Sequence, residues 1–255
     1  DKGFGVAFAM VSVKSGVEAG FGDDLGLKAI KKAGRVAAES GINDVNGLLV
    51  NSKLKFGFQK TVKLIDDMDD MVAINAKKFN KVIKRYYDDL EKWQTNPLHD
   101  VEGARFHIEE GGKLARKQAK GNIEGLEFET RPNPTSPISI DIKYKDKTTG
   151  KTIWSELTST DDVPNFNKMK DELLEKMKQL SQVNGDLTEN IREVALEIRN
   201  PTLSRQQIES LITQYFDDWK NNVNTRTSYL HQVKIITPAY PEGFIKINPY
   251  PIPPS

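Results

Sequence analysis

Residues 138–159 read ISIDIKYKDKTTGKTIWSELTS, and this stretch decides the fold. Ile138, Ile140, Ile142 and Tyr144 alternate with Ser139, Asp141 and Lys143, the period-two pattern of a half-buried strand. Residues 145–151 include Gly150 and read as a turn, after which residues 152–159 return as the partner strand. If Lys145 pairs with Thr152, Asp141 stands opposite Glu156, on one face and with Cβ atoms about 5 Å apart. Carboxylates that close repel each other unless a cation intervenes, and a divalent ion is the usual remedy. The pair depends on register, because a slip of one residue sends the two side chains to opposite faces. Trp154 shares the face of Glu156 and is a poor choice for open solvent, whereas Lys143 on the neighbouring strand is a candidate cation.

Outward from the hairpin, the pattern extends on both sides. Residues 101–120 read as a helix and residues 126–130 (LEFET) as a short strand, followed by a Pro-rich loop over 131–137. On the other side, Met169, Leu173, Leu174, Met177 and Leu180 recur at helical spacing over 167–182. Residues 194–199 (VALEIR) form a strand stopped by Asn200-Pro201. Ser204 is placed to cap a helix through Ile208, Leu211, Ile212, Tyr215, Phe216 and Trp219. Residues 233–236 add one more strand, and residues 238–254, with six prolines, read as an extended surface tail.

Residues 1–97 read as mostly helical, the clearest helix spanning 73–93 with Phe79, Val82, Ile83, Tyr86, Leu90 and Trp93 on one stripe. The cluster Asp66, Asp67, Asp69 and Asp70 lacks the alternating ligands and central Gly of a calcium loop and reads as an acidic helix surface. Residues 3–13 are apolar but fall short of the roughly 20 residues that span a bilayer. Thr95-Asn96-Pro97 marks a boundary. The expected organisation is therefore α+β: a helical N-terminal module over 1–97, then a helix-strand-strand-strand-helix-strand unit over 98–255 with a Pro-rich tail.

Composition narrows the chemistry. The 255 residues carry a net charge of +1, so no global field recruits nucleic acid and any basic surface must be local. Cysteine is absent, which removes disulfides, thiolate metal sites and cysteine nucleophiles. Three histidines, His99, His107 and His231, show no H-E-x-x-H spacing, and neither a phosphate-binding G-x-x-x-x-G-K-[ST] loop nor a G-x-S-x-G elbow occurs.

The element order and the two acids resemble the PD-(D/E)-x-K phosphodiesterase superfamily, the restriction-endonuclease-like nucleases, over residues 101–201. By position, Asp141 matches the Asp of the second strand, and Glu156-Leu157-Thr158 the acidic-x-Lys of the third. The resemblance implies a divalent metal, Mg²⁺ or Mn²⁺, held by Asp141 and Glu156 with Glu109 or Glu110, or more weakly Glu102, from the first helix. It also implies a supporting role for Gln179. Thr158 stands where the family has Lys, so the ammonium must come from elsewhere, and Lys143, Lys168 and Lys170 are the candidates. A second alignment makes Asp141-Ile142-Lys143 the triplet, with Glu127 or Glu129 as the earlier acid.

A nuclease unit behind a Gly/Ala-rich helical segment, in a chain that begins with Asp1 rather than Met, further resembles the C-terminal toxin of a bacterial contact-dependent or polymorphic toxin. That likeness implies secretion, action in a target cell's cytoplasm on DNA or tRNA, no stable membrane insertion, and a cognate immunity protein as partner. Two other readings stand beside it: a non-catalytic binding protein of the same fold, and a metal-free ribonuclease using His99 and His107.

Overall fold

A computed structural model describes residues 102–161, 166–183, 185–222 and 229–252, together with Val82, Arg85, Tyr86, Asp89 and Lys92. The apolar run over 3–13, the acidic cluster over 66–70, His99 and the break at Pro97 lie outside the described residues. By packing, the chain divides into two compact units, Asp1–Ala119 and Lys120–Ser255.

In the first unit the five described residues between 82 and 92 are helical, with Val82 and Tyr86 buried. They belong to the segment whose periodicity predicts a helix. A further helix, α1, spans Glu102–Ala119 despite Gly103, Gly111 and Gly112. The sequence places the boundary at Pro97; by packing, α1 groups with the residues before it.

The second unit is built on a six-stranded mixed sheet in the order β1-β2-β3-β4-β5-β6. The strands are β1 (Ile123–Thr130), β2 (Ile140–Asp146), β3 (Thr152–Thr160), β4 (Asn190–Ile198), β5 (Gln232–Thr237) and β6 (Tyr240–Ile247). The β1–β2, β2–β3 and β5–β6 pairs are antiparallel, and β3–β4 and β4–β5 are parallel. Parallel neighbours need a crossover, supplied here by α2 (Phe166–Leu180) and α3 (Arg205–Asn222). The chain is thus α+β, and the expected helix-strand-strand-strand-helix-strand order holds through β4.

Both crossover helices lay their apolar stripes on one face of the sheet. Met169, Leu173, Met177 and Leu180 of α2 and Ile208, Ile212, Tyr215, Phe216 and Trp219 of α3 share a core with Val194, Leu196 and Ile198 of β4 and Val233 and Ile235 of β5. Ser204 caps α3 as its sequence suggests: Gln207 N–H donates to Ser204 Oγ (3.4 Å), and the Gln207 side chain accepts from Ser204 N–H (2.9 Å). Arg192 and His231 tie the lower ends of β4 and β5 to the loops. The Arg192 guanidinium donates to Val183 O (2.6 Å) and Tyr229 O (3.3 Å). His231 Nδ1 accepts from Arg192 N–H (2.9 Å), so its proton sits on Nε2, 2.8 Å from Leu187 O.

The tail departs from expectation. Within 238–254, Tyr240–Ile247 is not a loose wrap but an antiparallel strand on β5, with Lys234 opposite Ile245 and Gln232 opposite Ile247. Pro241 is tolerated because it stands near the start of an edge strand, where a ladder donor is dispensable. Three large hydrophobic residues do remain exposed there, Tyr240, Ile245 and Ile247. The first strand also begins earlier than its sequence suggests, at Ile123, because a shift between Glu124 and Glu127 around Gly125 breaks the alternation.

Candidate metal and active site

The hairpin turn sets the site. Asp146 Oδ1 accepts from Thr148 N–H (2.9 Å) and Thr149 N–H (2.8 Å), and Gly150 takes φ 72°, a left-handed conformation that costs a glycine little. Gly150 N–H then closes on Asp146 O at 2.8 Å. With the turn fixed, Lys145 pairs with Thr152, Lys143 with Trp154 and Ile142 with Ser155. This is the register on which the carboxylate pair depends, and continued by one residue it sets Asp141 opposite Glu156.

At that point the regular β2–β3 ladder stops. Leu157 N–H donates to the Asp141 side chain, with 2.8 Å to Oδ2. The carboxylate of Asp141 therefore occupies the mouth where the two strands part, while Glu156 continues inward on a strand held on its other edge by β4, opposite Val194. Asp141 is partly exposed and Glu156 only 1% exposed.

The cation that meets them is Lys176 of α2. Its ammonium lies 2.9 Å from Glu156 Oε2 and 3.8 Å from Asp141 Oδ2. Glu156 Oε1, also buried, accepts no hydrogen bond, and the protonated carboxyl is placed to donate to Asp141. Burial first, and then the charge on Asp141, push the Glu156 carboxyl up to about 8, although Lys176 pulls the other way. Burial lowers the pKa of Lys176, but Asp141 and Glu156 outweigh it and the net shift is upward. At neutral pH the cluster thus sets the Lys176 ammonium against a Glu156 carboxyl that keeps its proton.

Lys176 was not among the candidates read from the sequence. Lys143 points elsewhere: its ammonium lies 3.1 Å from Glu127 Oε1 and 5.0 Å from the centre of the Trp154 ring. Lys170 pairs with Asp218, and the side chain of Lys168 lies outside the described residues. The signal for Lys176 was present in the spacing of α2. Position 176 follows Leu173 by three and Met169 by seven, so it borders the buried stripe and its stem runs along the core while its head reaches the sheet. Lys168 and Lys170 at the helix start lie closer in sequence to the motif strand, and Lys176 is two turns further on.

The other expected residues divide as follows. Thr158 shares the face of Glu156 and is half-buried, pairing along the backbone with Leu196. Gln179, three residues after Lys176 on α2, has a buried Oε1 with no hydrogen-bond partner. Glu102, Glu109 and Glu110 lie on α1, in the first unit, and are held within that helix. Arg105 pairs with both Glu102 and Glu109, the latter at 2.9 Å, and Lys113 with Glu110 at 3.2 Å. His107 is a buried residue of the same helix. Trp154, expected to be shielded, is buried, and its Nε1–H donates to Asn190 Oδ1 (3.1 Å).

No protein-family model, curated protein or solved structure matches this chain.

Proposed function

We propose that this chain is a metal-dependent nuclease with a restriction-endonuclease-like core, hydrolysing phosphodiester bonds in DNA or RNA. One observation carries the reading: a carboxylate buried to 1% exposure faces a second acid at the mouth of a parted hairpin, with a lysine ammonium against both. A buried acid held protonated, with one oxygen lacking any donor, is a costly arrangement for stability alone. It suits a group that exchanges its proton for a divalent ion.

The residues present fit such an ion. Asp141 and Glu156 would hold Mg²⁺ or Mn²⁺, Glu156 Oε1 accepting no hydrogen bond that the ion would have to displace. Such an ion supplies positive charge at a phosphate oxygen and makes a neighbouring water more acidic. The chain's own residues do the remaining work. Lys176 stands in for the lysine missing at Thr158, its ammonium set to orient the attacking water and to stabilise charge developing on the phosphate. Asp141, braced by Leu157 N–H, has its orientation fixed before substrate arrives. Water adds to phosphorus, the bond to the leaving oxygen breaks, and that oxygen takes up a proton, so one water is consumed for each bond cut.

The test is cleavage of plasmid DNA and total RNA by the purified chain in Mg²⁺ or in EDTA. Metal-dependent cleavage that disappears in Asp141→Ala and Glu156→Ala supports the proposal. Full activity in either variant, or in EDTA, overturns the site. The second reading, a non-catalytic nucleic-acid-binding protein on the same core, rests on Thr158 and predicts binding without cleavage in any metal.

We extend the proposal to a toxin module delivered by a bacterium into a target cell's cytoplasm and neutralised by an immunity protein. Among the described residues no helix is long and apolar enough to cross a membrane. Expression of the chain in a bacterial cytoplasm checks this extension: growth arrest that requires Asp141 and Glu156 is expected, and normal growth with active protein present would refute it.

A further inference from the structure

The row of acids does not stop at two. Phe128 pairs with Ile142 and Thr130 with Ile140, so Glu129 of β1 stands opposite Asp141, just as Asp141 stands opposite Glu156. Three adjacent strands thus present three carboxylates in line, with Asp141 in the middle. Carboxylate oxygens of Glu129 and Asp141 lie within 4.8 Å of each other. Like charges directly across a sheet repel, and the Lys176 ammonium sits against Glu156 and Asp141.

The backbone at Glu129 adds to the contrast. Its φ is 48°, the left-handed region that a residue with a side chain rarely adopts, and no other non-glycine among the described residues has a positive φ. Its carboxylate is further aimed by Ser139 Oγ–H, which donates to Oε2 at 2.9 Å. Independently of Glu129, Glu156 brings to the same row a side chain 1% exposed whose Oε1 accepts no hydrogen bond.

Resting on the metal-dependent reading above, we infer that Glu129 is a third carboxylate ligand of the same divalent ion, supplied from the sheet itself. Two oxygens bound to one small divalent ion stand about 3 to 4 Å apart. Glu129 and Asp141 already lie within 4.8 Å of each other but Glu156 is not within that distance of both, so one ion would draw Glu129 and Glu156 in toward Asp141. Asp141, central in the row, is the shared ligand; Glu156 and Glu129 approach from either side.

The experiment uses Mn²⁺ alone as the probe, its binding to the full chain followed by electron paramagnetic resonance at pH 8. Wild type, Glu129→Gln, Glu129→Asn, Ser139→Ala and Asp141→Ala are compared, with circular dichroism to confirm folding. Glu129→Gln and Glu129→Asn are expected to weaken Mn²⁺ at least about tenfold, Ser139→Ala less, and Asp141→Ala to abolish saturable binding. Asn tolerates a left-handed backbone better than Glu and removes a repelling charge. Glu129→Asn should therefore melt higher than wild type in EDTA while binding metal more weakly, a combination that a merely structural Glu129 would not give. Wild-type affinity in both Glu129 variants, with binding lost in Asp141→Ala, overturns the third ligand and leaves the two-acid site standing. No saturable Mn²⁺ binding by the wild type overturns both.

Discussion

Replacing Glu156 by Gln tests the electrostatics at the centre of the site without any substrate. In the native chain its carboxyl is raised from 4.5 to about 8, by burial and by Asp141. The unfolded chain releases that proton near its ordinary value while the folded chain keeps it. The resulting stability is fully present below pH about 4.5 and is lost as pH rises through about 8. The loss runs at about 1.4 kcal/mol for each pH unit in between, or about 3 kcal/mol from pH 5 to pH 7. Gln has the same shape and no proton to release. Urea denaturation in EDTA at pH 5, 6, 7 and 8 should therefore show Glu156→Gln gaining on wild type by about 3 kcal/mol between pH 5 and 7, with little further gain well above pH 8. Parallel stability curves, with a constant difference at every pH, would show that Glu156 titrates as an ordinary surface acid and would refute the reasoning.

Lys176→Met keeps the stem that packs along α2 but removes the ammonium. Cleavage at saturating Mg²⁺ should fall by about 100-fold or more, while Mn²⁺ affinity is kept or improved because no lysine competes for the acids; unchanged turnover would place the catalytic cation elsewhere. Metal binding should release a proton from Glu156, so apparent Mn²⁺ affinity should rise about tenfold per pH unit between pH 6 and 7.5 and flatten above 8. Calorimetry in buffers of different ionisation enthalpy measures that proton directly, and binding independent of pH would contradict it. His231→Phe strands Arg192 N–H and Leu187 O and should cost about 2 to 4 kcal/mol with cleavage by the folded fraction unchanged. Burial lowers the pKa of His231 to about 4, so wild type should also lose stability as pH falls from about 6.5 toward 4, and the Phe variant should lack that dependence.

Most of the second unit was legible in the sequence because its signals are local. Alternating Ile140, Ile142 and Tyr144, the turn around Gly150 and the stripe on α2 each act within a few residues, and the turn alone fixes the Asp141–Glu156 register. The acid pair was readable for that reason. Lys176 was not, because its approach to the sheet depends on how α2 lies across β3, a tertiary matter that one strand's motif does not encode. Glu129 was visible only as an alternative acid, since the irregularity after Glu124 and the left-handed backbone break the alternation that would mark its face. The misread tail has a similar origin: prolines at 238 and 241 mask a strand whose partner, β5, lies across a tight turn. Local composition spoke for a coil, and pairing overrode it.

The most direct test of the proposed centre is an anomalous difference map from crystals of the active chain soaked in Mn²⁺ at pH 8. A peak within ligand distance of both Asp141 and Glu156, with the Lys176 ammonium moved off Glu156 Oε2, is the predicted result. Manganese bound elsewhere, with Lys176 still seated on Glu156, would contradict it.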